Sequence, residues 1–239
     1  MQFDRSGRSF AANDMGSGIY NVVRDAVRLL TFRLTPNEFA AFDNRHLAFG
    51  LFCTWLVGVG RWWDDPGANI LQHRGLGSIV YIFVLALVLC LVTEPLEPQN
   101  WSYKQVLTLV SLTSPPAILY AIPVERFTEL SVARGLNVWF LAVVALWRLS
   151  LLLVFLKRIA GLSAFASVVV ALLPIIAIIT TLTFLNLERA VFDIMGGLRE
   201  TGTANDSAYG FLFGLTIISV LLFVPFVFSY AVLVALRKR

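Results

Sequence analysis

VWFLAVVALWRLSLLLVFLKR, residues 138–158, is an apolar run broken by one charge, Arg148, before Lys157 and Arg158 close it. It has the roughly 20 residues that a helix needs to cross hydrocarbon. An exposed helix of a soluble protein keeps a polar face, and this one has none, so its solvent is lipid. Arg148 lies nine residues from Lys157, about 13 Å along a helix axis, farther than an arginine stem snorkels with ease. A central arginine costs about 2.5–3.5 kcal/mol on insertion scales. Its turn neighbours Val144, Ala145, Leu151 and Leu152 offer no partner, so Arg148 should face other helices. Candidate acids are Glu94, Glu125, Asp64 and Asp65; carbonyls released by a broken neighbouring helix are the alternative. Both a structural role and a role in holding a solute or ion remain open for it.

The broken neighbour precedes it. SLTSPPAILYAIP, residues 111–123, sits inside an apolar segment and carries Pro115 and Pro116 in tandem. Two missing N–H donors and two rings break a helix at roughly 3 kcal/mol or more per interior proline. Such backbone persists at membrane depth only where protein or a watery cavity covers it. Ser111, Thr113 and Ser114 supply hydroxyls for the released carbonyls, and Arg148 is expected within contact distance of residues 111–116. Ser111, Ser114, Pro115, Pro116 and Arg148, with Glu125, Asp64 and Asp65, form the candidate binding set.

Outward from this pair, the chain of 239 residues is 58% hydrophobic and only 14% charged, against about 25% charged in soluble domains. Six apolar segments are legible: residues 46–60, 78–92, 106–122, 138–156, 161–185 and 209–236. The fold class is therefore all-α, a polytopic helical membrane bundle of about six spans. With the N-terminus in the cytoplasm, twelve basic residues fall on the inner side and six on the outer, so both termini are expected inside a cell membrane, a bacterial inner membrane in the reading that follows. No apolar core of secretory-signal length opens the chain. Residues 1–45 form a cytoplasmic segment and 46–239 the membrane domain. Within the segment, Ile19, Val22, Val23, Ala26, Val27 and Leu30 repeat with helical spacing, with Asn21, Arg24, Asp25 and Arg28 opposite. Such a helix either lies in the membrane surface, with Arg24 and Arg28 toward headgroups, or packs on the bundle; Pro36 should end it.

In residues 60–77, Trp62 and Trp63 suit an interfacial anchor, and Asp64, Asp65, Pro66 and Gly67 have turn chemistry. His73 is nearby, but adjacent acids with one histidine make a poor cation cage, and no metal is expected. His46 stands isolated at the inner boundary. Glu125, Arg126, Glu129 and Arg134 alternate in sign, the pattern of a short solvated helix. Residues 187–210 form the longest outer connection, with a possible second interfacial helix, and Gly210 and Gly214 have the spacing of a close helix contact. Cys53 and Cys90 lie apart in apolar segments and read as small hydrophobes. No HExxH, GxSxG or phosphate-binding loop is present and only two histidines exist, so neither catalysis nor a cofactor is expected. Nothing points to nucleic acid.

Several of these features occur together elsewhere. Tyr103, Gln105, Leu107 and Leu109 ahead of the broken span, the proline at 115 or 116, Gly161, Leu162 and Ser163 between the fourth and fifth spans, and Pro36 with Phe39 ahead of the first resemble bacterial members of the Ypt-interacting-protein family, over about residues 25–185. The resemblance implies a compact helical membrane domain without enzymatic activity, acting in membrane organisation or as an adaptor. That family usually has five spans, against six here, and the Asp-Leu-Tyr-Gly-Pro motif of its Rab-binding eukaryotic members is missing, so Rab binding does not carry over. The expected function is a non-enzymatic membrane adaptor or assembly subunit, with the bilayer and a protein partner or second copy as its contacts. The alternative is a small channel or transporter for an ion, small solute or lipid, built on the broken span and Arg148.

Overall fold

The computed structural model describes residues 7–60, 70–99, 101–185, 187 and 206–237, with side chains at all of these except 7–17, 71–72, 125, 130–131, 134 and 206–212. Among the described residues the fold is helical without strands. It comprises α1 (Gly7–Leu30), α2 (Pro36–Ala40), α3 (Asn44–Gly60), α4 (Ile70–His73), α5 (Leu76–Thr93), α6 (Tyr103–Leu112), α7 (Leu130–Arg158), α8 (Ala164–Phe184) and α9 (Asp206–Arg237). Short 3-10 turns cover Glu94–Leu96, Pro115–Ala121 and Val124–Arg126.

Four helical stretches are long and apolar enough to cross a membrane: Leu76–Leu96, Gly135–Arg158, Ala164–Phe184 and Phe213–Arg237. Only 6% of the last is buried inside the fold, so its apolar surface calls for an apolar solvent. α3, at 17 residues, and α6, at ten, are shorter; both pack against each other and against α5, and α6 is buried over most of its length.

The chain runs up and down. At one end a Cβ on Gly60 would come within 2.7 Å of Ala121 Cβ, and one on Gly58 within 2.9 Å of Gly75 Cα. At the other end Gln99 N donates to Ala160 O at 2.9 Å, Tyr230 Oη to Val92 O at 2.8 Å and Arg158 Nη1 to Phe32 O at 3.3 Å. Trp101 packs against three core clusters there: one of Leu29, Phe39, Leu109 and Phe155, one of Leu156, Leu162 and Val170, and one of Ile82, Ala86 and Val106.

Local chemistry sets the helix ends. Ser163, extended, caps α8 by accepting from Ala166 N at 3.2 Å, directly after Gly161 at φ +70°. Replacing Ser163 by alanine should cost about 1 kcal/mol, read as a lower melting temperature in detergent, with Ser163→Asp close to wild type. α1 does not run to Pro36. It stops at Leu30, where Arg33 N donates to Arg28 O at 2.8 Å and Phe32 N to Leu29 O at 3.0 Å, the Schellman pattern. Phe32 occupies the left-handed position at φ 62°, where glycine is usual. Pro36 instead opens α2 as its first residue, under a capping box of Thr35 and Glu38, a position where the missing N–H does no harm.

Two further expectations are corrected. Residues 124–135 are not one short helix: a 3-10 turn ends at Arg126 and α7 begins at Leu130. Among the described residues nothing stands within 4 Å of a Cβ built on Gly214, so the close contact that its spacing with Gly210 permits is not made by them. α8 is continuous across Pro174: one proline removes one hydrogen bond, while the tandem pair removes two.

Candidate functional site

The tandem prolines act as read. α6 ends at Leu112, and the backbone continues from Pro115 in a 3-10 helix, because the bonds left to it are of the shorter type, such as Ala117 N to Ser114 O at 2.9 Å. The carbonyl of Ser111, deprived of the Pro115 donor, is taken by Ser114 N at 3.1 Å. The expected division of labour among the hydroxyls differs. Ser111 Oγ donates back to Thr108 O at 3.0 Å and Thr113 Oγ1 to Val110 O at 2.7 Å. The help for the break comes from α3: Thr54 Oγ1 lies 2.7 Å from Ser114 Oγ and 3.5 Å from Ser111 O. Thr54 Oγ1 also lies 2.9 Å from Gly50 O; it has one proton to give, and either hydroxyl of the Thr54–Ser114 pair can be the donor.

Thr54, Thr108, Ser111, Thr113 and Ser114 are all buried, forming a seam of hydroxyls where α3 meets the broken span. Small residues on α3 permit the approach. A Cβ on Gly50 would stand 2.3 Å from Ser111 Oγ and 3.0 Å from Leu112 N.

Arg148 closes the seam. On α7 the residues Val144, Leu151 and Phe155 are buried, and Arg148, partly buried, falls on the same stripe by helical spacing. Val144 belongs to a cluster with Val57 and Ala117, while Leu151 and Phe155 join Leu29, Leu109 and Leu112. Between them Arg148 Nε donates to Thr113 Oγ1 at 3.3 Å. The contact expected with residues 111–116 is present, made to a hydroxyl rather than to a released carbonyl. Thr113 is thereby used twice, as donor to Val110 and as acceptor from Arg148.

No carboxylate lies within ion-pair distance of Arg148 among the described residues. Glu94 is exposed at the far end of α5 beside the 93–99 turn, away from the break, so it is not the partner. Asp64, Asp65, Trp62 and Trp63 lie outside the described residues, as does the side chain of Glu125. So does most of 187–210, with its possible interfacial helix.

A second polar group was missed in the sequence. His46, expected to be isolated, is buried. Its Nδ1 lies 2.8 Å from Asp43 Oδ1, its Nε2 3.5 Å from Asp25 Oδ2 of α1, and its ring stacks on Phe42 at 4.2 Å. Nearby, Arg28 pairs with Glu38. Backbone and hydroxyl bonds from Thr35, then Arg28, hold Glu38 below the usual carboxylate range. At Asp43 desolvation pushes upward, but the His46 bond and the amides of Arg45 and His46 outweigh it and lower the pKa. Both carboxylates thus stabilise the α1–α2 corner above their ordinary range near 4, and lose that contribution as pH falls through their lowered values. The melting temperature should therefore hold above about pH 5 and fall below about pH 4. The double variant Glu38→Gln, Asp43→Asn should make that fall shallower.

Two pockets open near the α1–α2 corner, lined by neither His46 nor the acids around it. A void of about 20 Å³ lies among Leu29, Phe32, Leu151 and Arg158. A cleft of about 230 Å³ opens beside Phe39, Phe42, Ser102, Lys104, Gln105 and Thr108. Neither is lined by Arg148, Thr113, Ser114 or Thr54. Among the described residues no group of histidines, cysteines and acids has the proximity to hold a metal ion, and Cys53 and Cys90 are free, half-buried thiols.

No protein-family model matches this chain, and no curated protein or solved structure matches it. The functional reading therefore rests on the seam, the helices and the sequence motifs themselves.

Proposed function

We propose that the chain is a non-enzymatic multi-pass membrane protein that acts as a membrane-organising adaptor or as a subunit of a membrane assembly. The observation that carries this reading is the closure of the seam. Gly50 meets Ser111 at a distance that leaves no room for a methyl group, and the hydroxyls around the break are spent on one another, on backbone and on Arg148. A midplane solute site needs unspent polar groups around a space; this seam supports a packed joint instead. The channel or transporter reading draws on the same break and arginine, and the same packing weighs against it.

Six spans belong to this proposal. α3 at 17 residues covers about 26 Å. α6 and the 3-10 run after it cover about 15 and 14 Å in succession, close to the roughly 30 Å of a hydrocarbon core. In this proposal the membrane is a bacterial inner membrane, both termini are on its cytoplasmic side, as the distribution of basic residues favours, and Trp62 and Trp63 belong to the outer interface. The resemblance of the sequence to the Ypt-interacting-protein family implies the same non-enzymatic role; Gly161, Leu162 and Ser163, which belong to that resemblance, form a turn of a left-handed glycine, a buried leucine and a helix cap.

The test pairs two measurements on the full-length protein. Crosslinking in native membranes should capture a partner chain or a second copy. Purified protein in liposomes should pass no ions or small solutes above empty vesicles. Flux through the wild type that Arg148→Met abolishes would overturn the proposal.

A further inference from the structure

The apolar residues of α1 do not all go to the same place. From Gly18 to Leu30, Val22, Ala26 and Leu29 are buried at 3–5% exposure. Ile19, Val23 and Val27, next around the helix, are exposed at 64%, 39% and 53%, and Tyr20 beside them at 68%. Asn21, exposed Arg24 and partly exposed Arg28 complete the circumference. At about 100° per residue the helix has three sectors in order: one against the bundle, one apolar and uncovered, one polar. A helix merely packed on a bundle in water needs two sectors, and the uncovered apolar one needs an occupant.

We infer that the occupant is the bilayer: α1 lies along the flank of the bundle, with Ile19, Tyr20, Val23 and Val27 bedded in the headgroup–acyl boundary of one leaflet. The level of the helix is the first argument. Trp147 Nε1 donates to Leu30 O at 3.0 Å and Arg158 Nη1 to Phe32 O at 3.3 Å. Both donors belong to the membrane-crossing stretch Gly135–Arg158, and Arg158, whose side chain reaches Phe32 O, is its charged end, the level of a headgroup–acyl boundary. The end of α1 is thus held beside lipid-facing surface, where Trp147 is itself exposed, and the uncovered sector continues that surface.

The second argument is Phe32. A bulky residue in the left-handed region costs about 1–2 kcal/mol that glycine would avoid, yet here an aromatic ring, 37% exposed, stands at that corner. Lipid around the ring compensates for strain that water around it would not. The polar sector agrees: Arg24 and Arg28 are held at the surface by Asp25 and Glu38, on the side turned from the apolar sector.

The experiment uses the full chain with Cys53→Ala and Cys90→Ala, one nitroxide label at position 21, 23, 24 or 27, and nanodiscs of phosphatidylethanolamine with phosphatidylglycerol. These positions are exposed, so a label there does not disturb the core. Collision with oxygen should exceed collision with a water-soluble nickel complex at 23 and 27, and the ratio should invert at 21 and 24. Nickel access dominating at 23 and 27 would show a water-facing helix and overturn the inference. Low access to both reagents at 23 and 27 would overturn it too, by showing a protein cover.

Discussion

Gly50→Leu should give no folded, monodisperse protein in mild detergent, and Gly50→Ala a folded protein of clearly lower melting temperature. The cause is the crossing of α3 over the broken span. A Cβ at this position stands 2.3 Å from Ser111 Oγ, 2.9 Å from Ser111 Cβ and 3.0 Å from Leu112 N. Ser111 is fully buried and its hydroxyl is committed to Thr108 O, so it has no other place to turn. Leu112 N is backbone at the last turn before the break. Overpacking by one methyl costs about 1–3 kcal/mol in a close-packed interior. Leucine adds three carbons more, and α3 would have to lift off the seam, exposing Thr54 and Ser114 without their bond. Adding Ser111→Gly to Gly50→Ala removes both the Cβ and Oγ clashes and should recover part of the loss; if it recovers nothing, the closeness of this crossing is not what Gly50 provides.

The same crossing shows how far the sequence could be read. Tandem prolines and a lone intramembrane arginine are local signals with a definite physical cost, so the break at residues 113–114 and its contact with Arg148 were legible. Gly50 and Thr54 were not, since a glycine and a threonine in an apolar helix cost little by themselves, and their meaning depends on partners 57 to 62 residues away. His46 was misread for a similar reason: Asp43 is near in sequence, but Asp25 reaches it from another helix. The end of α1 was hidden differently. Left-handed termini are usually announced by glycine, and Phe32 announces nothing, so the first visible stop was Pro36. The apolar period of α1 showed which residues avoid water, but not that the bundle takes one half of them and leaves the other.

Arg148→Ala should lower stability by roughly 2–4 kcal/mol, within the range for deleting a large packed side chain, while Arg148→Met should stay within about 1 kcal/mol of wild type. Two opposed terms lead there. The Nε bond to the Thr113 hydroxyl, as a bond from a charged donor, is worth about 1.5–3 kcal/mol, and holding the charge at this depth costs about 2.5–3.5 kcal/mol. Methionine forfeits both and keeps the stem between Val144 and Leu151, so the terms nearly cancel; alanine also leaves a void between two core clusters. Thermal unfolding of both variants in one detergent measures the difference. Equal losses for both would mean that the charge itself is paired strongly within the fold. A stable Arg148→Met protein that no longer crosslinks to its partner would place the use of the charge in the assembly, because a membrane-central arginine that its own fold can do without is then held for a group the chain does not supply.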